Sequence, residues 1–230
     1  MDLAGIYHYF FNFEIMAKAL PALLSGLLVT IKVSGAVIGL GFSFGLLLAV
    51  VRTSPVKYIG RIINLLIKIY VDVLRACPYV VLVTLIYFAL PFIGIQLNTF
   101  WATVVCFSAC LSAFAEEIFR AGILAVSKGQ VEAARTLGLS HLQTMVNVVL
   151  PQGILLSIPT LTNRTVAIAK AISMASAIAL PDLLKQARSA QALLANPTPL
   201  VEAALIYIAL FYPLVKFTLY LEKKFGKNSY

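Results

Sequence analysis

Charge is what this sequence has least of. Only 12% of its 230 residues are Asp, Glu, Lys or Arg, about half the share found in a soluble domain. Hydrophobic residues make up 61%, and the mean hydropathy is +0.95. This excludes a water-soluble globular domain, and the chain reads as an integral membrane protein. Cysteine is scarce too. Cys106 and Cys110 lie one helical turn apart in an apolar run, and Cys77 precedes a proline. With no histidine or carboxylate at ligand spacing, all three read as small buried residues rather than a metal or redox site. His8 and His141 are each isolated. No G-x-x-x-x-G-K-[ST] occurs, which excludes ATP hydrolysis by the P-loop route, and neither HExxH nor a Ser/His/Asp set is present, so the chain is not expected to be an enzyme. The N-terminus lacks a basic n-region and a small-residue cleavage site, so the first apolar span is expected to stay in the mature protein. The formal net charge is +9, but the basic residues form no patch with interleaved aromatics, which argues against nucleic acid. They flank apolar runs and read as topology signals.

Residues 1–19, with Tyr7, Tyr9, Phe10, Phe11 and Phe13, read as an interfacial N-terminal segment. The membrane domain covers 20–222, with no soluble domain and no repeat. Span one, about Leu20 to Val51, exceeds the ~20 residues a bilayer needs and must tilt or protrude. Its Gly35/Gly39 and Gly41/Gly45 spacings permit close helix packing. Lys32 is expected to snorkel. A loop at Pro55 leads to an amphipathic helix over 58–74. Span two, Pro78 to about Leu90, is short, which places a break near Ala76-Cys77-Pro78. Span three is Phe100 to about Ile123. Span four runs from Pro151 to about Leu180, interrupted by Pro159, Asn163, Arg164 and Lys170. A polar loop over 182–200, span five (about Val201 to Leu221) and a basic tail over 223–230 complete the chain. Five spans put the termini on opposite sides. If 129–151 is cytoplasmic, Arg52, Lys57, Arg61, Lys128, Arg135, Lys223, Lys224 and Lys227 are inside and Lys18, Lys185 and Arg188 outside, which obeys the positive-inside rule. The N-terminus is then outside and the C-terminus inside.

The segment Gly129 to Pro151 is the one long polar stretch between apolar runs. Gln130 to Leu137 are good helix formers, and Gly138 can take the left-handed conformation that ends a helix. Ser140 and Gln143 form a capping box for a second short helix, with Pro151 as its expected stop. Val131, Ala134 and Leu137 share one face of the first helix. From periodicity alone, that face suits a groove in another protein or a lipid surface equally.

Glu116, Glu117 and Arg120 sit in the inner half of span three, where an ionisable group costs on the order of 3 kcal/mol, so they face protein or water. Glu116 and Arg120 are i, i+4, and Glu117 is i, i+3 to the same arginine. They read as a structural cluster that neutralises itself, with Glu117 holding Arg120, or as one in which a glutamate, Glu116, faces a substrate. Asp72 and Arg75, i, i+3 at the start of span two, read as an interfacial ion pair or a ligand contact. Asn163, Arg164 and Lys170 interrupt span four as a discontinuous transporter helix would.

Several stretches carry a resemblance: Arg75-x-x-Pro78, Ile86-Tyr87-Phe88-x-Leu90-Pro91, Glu117-Ile118-Phe119-Arg120-x-Gly122-Ile123, Gly129-Gln130-x-Glu132-Ala133-Ala134-x-x-Leu137-Gly138-Leu139-Ser140 and Pro181-Asp182-Leu183-Leu184. Together they resemble the polar amino acid permeases of ABC importers, over about Leu20 to Lys223. The resemblance implies an all-α integral membrane fold of the type I importer permease kind, in a bacterial inner membrane. It implies uptake of a polar or charged amino acid by a complex of two permease chains, two cytoplasmic ATPases and an extracytoplasmic amino-acid-binding protein, with ATP and Mg bound by the ATPase. Gly129, Gln130, Glu132, Ala133, Ala134, Leu137 and Gly138 would form the loop that couples to the ATPase. Glu116, Glu117, Arg75, Asn163 and Lys170 are the candidates for the substrate path. Where the family reads Lys-Asp-Thr-Ser-Leu, this chain has Lys170-Ala171-Ile172-Ser173-Met174, which fits the non-binding half of a heterodimer or an unusual substrate. A channel or scaffold subunit with no ATPase partner is the alternative.

Overall fold

The computed structural model describes residues 9–54 and 59–225. The expected interfacial residues 1–8, Lys57 and Lys227 lie outside them. Among the described residues all regular structure is helical: α1 (Phe13–Thr53), α2 (Ile59–Ala76), α3 (Tyr79–Ala89), α4 (Thr99–Leu124), α5 (Lys128–Thr136), α6 (His141–Thr144), α7 (Leu150–Ala171), α8 (Leu183–Leu194) and α9 (Thr198–Phe225). Short 3-10 turns cover Leu90–Ile93 and Ile172–Ile178, and a π turn covers Met145–Val149.

Among the described residues, four stretches are long and apolar enough to cross a membrane: Phe13–Thr53, Thr99–Leu124, His141–Ile178 and Thr198–Lys224. The pair Gly60–Ala76 and Tyr79–Ile93, bent at the break, is a candidate fifth. The break falls at Cys77-Pro78, where proline removes a donor and disfavours helix in the residue before it. Alone, α3 has 11 residues, too few to span.

Four expectations change. Helix α1 starts at Phe13, within the segment read as interfacial, because Asn12 Oδ1 accepts the amides of Glu14 and Ile15 and caps it. Residues 183–194 are a helix rather than a polar loop, capped by Asp182. Pro151 does not stop a helix: α6 runs through the π turn into α7, and the widened turn lies directly ahead of the proline, which would otherwise clash with the carbonyl four residues back. The basic residues Lys223 and Lys224 belong to the last turn of α9 rather than to a separate tail.

By packing, the chain forms two units, residues 1–37, 78–107 and 166–215, and residues 38–77, 108–165 and 216–230. In the first, Ala19 and Leu23 of α1 meet Leu183 and Ala187 of α8 and Ala203 of α9. Val166 and Ala169 of α7 meet Phe211 of α9, and Tyr79 stacks on Phe107. In the second, Ala49, Ala115, Phe119, Ile123, Met145, Val149 and Leu161 form the main core. A second cluster joins Ile67 and Val71 of α2 to Ala113 of α4.

Glycine sets how closely α1 approaches α4. A Cβ on Gly45 would lie 2.6 Å from Ala115 Cβ and 2.9 Å from the Ser112 carbonyl oxygen, and one on Gly41 would lie 2.8 Å from the Leu111 side chain. Gly35 has nothing within 4 Å, so only the second of the two spacings is used within the chain. Gly45→Val is therefore expected to destabilise by about 1–3 kcal/mol through overpacking, while Gly35→Val leaves stability unchanged. Thermal denaturation of the purified permease in detergent checks this, and equal Tm values for the two variants would refute the assigned role of Gly45.

Candidate functional site

The polar segment is held rigidly. Helix α5 ends in a Schellman motif, in which Gly138 sits at φ 83°, Leu139 N–H donates to Ala134 O at 3.2 Å and Gly138 N–H to Arg135 O at 3.0 Å. Arg135 adds a bond to Leu139 O at 3.3 Å. The capping box at Ser140 and Gln143 is formed, with Gln143 N–H on Ser140 Oγ and Ser140 N–H on Gln143 Oε1. At the other end, the Gln152 amide donates to Gln130 Oε1 and to Val148 O, tying α5 to the first turn of α7.

This anchoring turns the apolar face inward. Ala134 is buried, closed to a partner or to lipid, and the half-buried Val131 packs on the core around Val126 and Met145. The exposed side carries Gly129, Gln130, Glu132, Ala133, Thr136 and Leu137, and Leu137 is 82% exposed. Of the expected face Val131, Ala134 and Leu137, only Leu137 points outward. Beyond the turn, Leu142 is 70% exposed.

The charged residues of α4 pair differently from expectation. Glu116 is fully buried. Arg52, at the end of α1, donates from Nη1 to both of its carboxylate oxygens at 3.1 and 3.2 Å. Arg120 Nε lies 3.4 Å from the same carboxylate. Glu117, one residue on, points elsewhere and forms an ion pair with Arg75 of α2, both partners being about two-fifths exposed. Thus it is Glu116 that holds Arg120, and Arg75 reaches Glu117 rather than Asp72.

Around Glu117 lies a cleft of about 430 Å³, lined also by Ala121, Gly122, Leu156, Ser157 and Thr160. It sits where α4 and α7 cross closely: a Cβ on Gly122 would lie 2.4 Å from Gly153 O. Phe114, one turn before Glu117 on α4, has the Arg75 guanidinium 5.2 Å and the Arg164 guanidinium 3.1 Å from its ring centroid. Sequence reasoning missed both Arg52 as a partner of Glu116 and the stacking of two arginines on Phe114, because each joins residues far apart in the chain.

The other candidates lie apart from this pair. Asn163 is exposed on α7. Helix α7 is unbroken at Pro159, Asn163 and Arg164 and gives way to a 3-10 turn only at Ile172. Lys170 belongs to the other unit, where its ammonium lies 5.6 Å from the Phe211 ring centroid in a cleft of about 460 Å³ with Ser173, Tyr207 and Tyr212.

Glu116→Gln strands Arg52 and Arg120 beside a neutral amide, and losing one partner of a buried pair costs about 3–5 kcal/mol. The folded yield extracted in detergent is expected to fall sharply for Glu116→Gln and little for Glu117→Gln. The opposite order would overturn this division of labour.

Residues 41–227 match the family model described as "Binding-protein-dependent transport system inner membrane component". The Bacillus subtilis protein described as "Probable amino-acid ABC transporter permease protein YckA" is 33% identical over 221 residues, covering 96% of each chain. The "Arginine transport system permease protein ArtQ" of the same organism is 32% identical, over 95% of this chain and 99% of its own. The crystal structure of an amino acid ABC transporter with histidines matches with a TM-score of 0.81 at 33% identity, over 93% of this chain and 98% of that one. A methionine ABC transporter structure at 19% identity shares the fold, with a TM-score of 0.70. The chain thus belongs to the binding-protein-dependent transport system inner membrane components, as a multi-pass inner-membrane permease of the amino-acid ABC transporter kind.

Proposed function

We propose that this permease moves a polar or charged amino acid into the cytoplasm, as one of two permease chains, driven by a separate ATPase that binds ATP and Mg and supplied by an extracytoplasmic solute-binding protein. The observation that carries the reading is the Arg75–Glu117 pair, a partly exposed acid and base side by side, with Glu117 on the wall of an open cleft. An α-amino acid presents one ammonium and one carboxylate. Glu117 can accept the ammonium, and Arg75, positioned over Phe114, can donate to the carboxylate. Binding then exchanges an internal ion pair for two pairs with the substrate, which keeps the site neutral throughout. Asn163 and Lys170 remain candidates elsewhere on the path, and Glu116 supports the site from its buried position. The second permease chain is the same protein or a different one.

The topology follows from the bent pair α2–α3. Counted as one span, it gives five, with Arg52, Arg61, Lys128, Arg135, Lys223 and Lys224 on the inside and Lys18, Lys185 and Arg188 outside. Counted as a re-entrant loop, it would reverse every later segment and put 129–151 outside. A cysteine at Asn196 is expected to react with an impermeant thiol reagent from outside and one at Ser127 only from inside. The reverse pattern would overturn both the five-span reading and the docking assignment.

Coupling rests on the exposed face of α5. Leu137→Glu should leave the permease folded and inserted while abolishing substrate-stimulated ATP hydrolysis, because an apolar contact becomes a charge facing a protein groove. Ala134→Arg should instead reduce the folded yield, since that site is filled by the chain's own core. Stimulated hydrolysis of normal size in Leu137→Glu would remove α5 from coupling. For the substrate site, Glu117→Gln is expected to weaken amino acid uptake by proteoliposomes about tenfold, the lower end for a charge-assisted contact because the group is half in solvent. Unaltered uptake would take Glu117 out of the path.

A further inference from the structure

Asp182 is fully buried, between the 3-10 turn Ile172–Ile178 and α8. Only half of its carboxylate is used. Oδ1 accepts the Lys185 amide at 2.8 Å and caps α8, whereas Oδ2 is buried without a hydrogen-bond partner. The main chain around it is pinned to α1. The Asp182 carbonyl oxygen lies 2.7 Å from where a Cβ would stand on Gly26. The Leu183 amide donates to Thr30 Oγ1 at 3.2 Å, and Thr30 donates in turn to Gly26 O at 3.0 Å. The first turn of α8 is therefore seated on α1 at the residue whose carboxylate is buried.

The charged and titratable groups that face it are few. On α8, Arg188 acts on it from an exposed position. On α9, the Tyr207 hydroxyl is buried beside the Leu184 main chain and lies within electrostatic reach of the carboxylate. The α1 face, Gly26 and Thr30, has no ionisable group, and Glu202 of α9 is not among the groups that act on it. Burial pushes the Asp182 carboxyl up to about 6, against the opposing pull of the Lys185 amide and Arg188.

We propose that Asp182 is a proton-binding latch for α8: protonated, its buried second oxygen becomes a donor for the Tyr207 hydroxyl and α8 stays seated on α1, whereas ionised it leaves a buried charge that the Lys185 amide and Arg188 compensate only in part, which loosens the first turn of α8. Released into water, an aspartate titrates near 3.9. The seated form keeps its proton up to about 6, so between those values it binds more protons than the loosened form. The seat is tightest in acid and weakens as pH rises through that window. On the proposed topology, α8 lies on the outer side, where the medium rather than the cytoplasm sets the pH.

Hydrogen exchange of residues 185–194, measured by mass spectrometry on the full-length permease in lipid nanodiscs and corrected for intrinsic exchange rates, tests this. In the wild type, protection is expected to fall about tenfold from about pH 5 to about pH 7.5. Asp182→Asn keeps the capping acceptor and carries a permanent donor on the other atom, so its protection should be independent of pH and close to the wild-type acid value. Tyr207→Phe should shrink the wild-type step. A wild type without a step, an Asp182→Asn variant with the same step, or one unprotected at both pH values would each overturn the proposal.

Discussion

An ionised carboxylate in hydrocarbon must bring its counter-charge with it, and Glu116 meets that requirement with two guanidiniums. Arg52 can reach it only because α1 lies against α4 with glycine at the contact. A β-carbon at Gly45 would lie 2.6 Å from Ala115 Cβ and 3.1 Å from the Glu116 amide nitrogen. Close packing and charge neutralisation are therefore one arrangement. Successive residues on a helix point about 100° apart, so settling Glu116 against α1 turns Glu117 toward α2 and the cleft. A buried, fully compensated carboxylate and an accessible one thus stand side by side in the chain with different surroundings and different uses.

The long apolar helices, the break at Pro78, the closing turn at Gly138 and the capping box at Ser140 were all legible, since each depends on residues within a few positions of one another. What could not be read depended on distance. The partners of Glu116 include a residue 64 positions away, and helical spacing offered only the nearer arginine, shared between two glutamates. The inward turn of Ala134 is set by the bond between Gln130 and Gln152, 22 positions apart, and without it the apolar face of α5 looked like a surface for a partner. Helix α8 was missed for a different reason. Its signals were present, an aspartate at the cap and Leu183, Ala187 and Leu194 at helical spacing, but the intervening polar residues and the following Asn196-Pro197-Thr198-Pro199 resembled a loop.

The same contrast separates the candidate residues. Arg75 and Glu117 come from different helices and are brought into contact, with an aromatic ring and a second arginine beside them. Lys170 lies among aromatic rings in the other unit. A cation over aromatic rings and a neutral acid–base pair recognise different things.

The run from His141 to Ala171 contains no loop: α6, the π turn and α7 follow one another as helix, over about 45 Å at 1.5 Å per residue. A flexible hinge between the polar segment and the span would absorb a push as bending of the joint. A continuous rod cannot, and it passes torque and axial displacement along its length. The compliance of this part of the chain is then concentrated at the left-handed Gly138, ahead of the rod, rather than between the rod and the membrane. The path from the base of α7 to Ser157 and Thr160, on the wall of the Glu117 cleft, runs through helix alone.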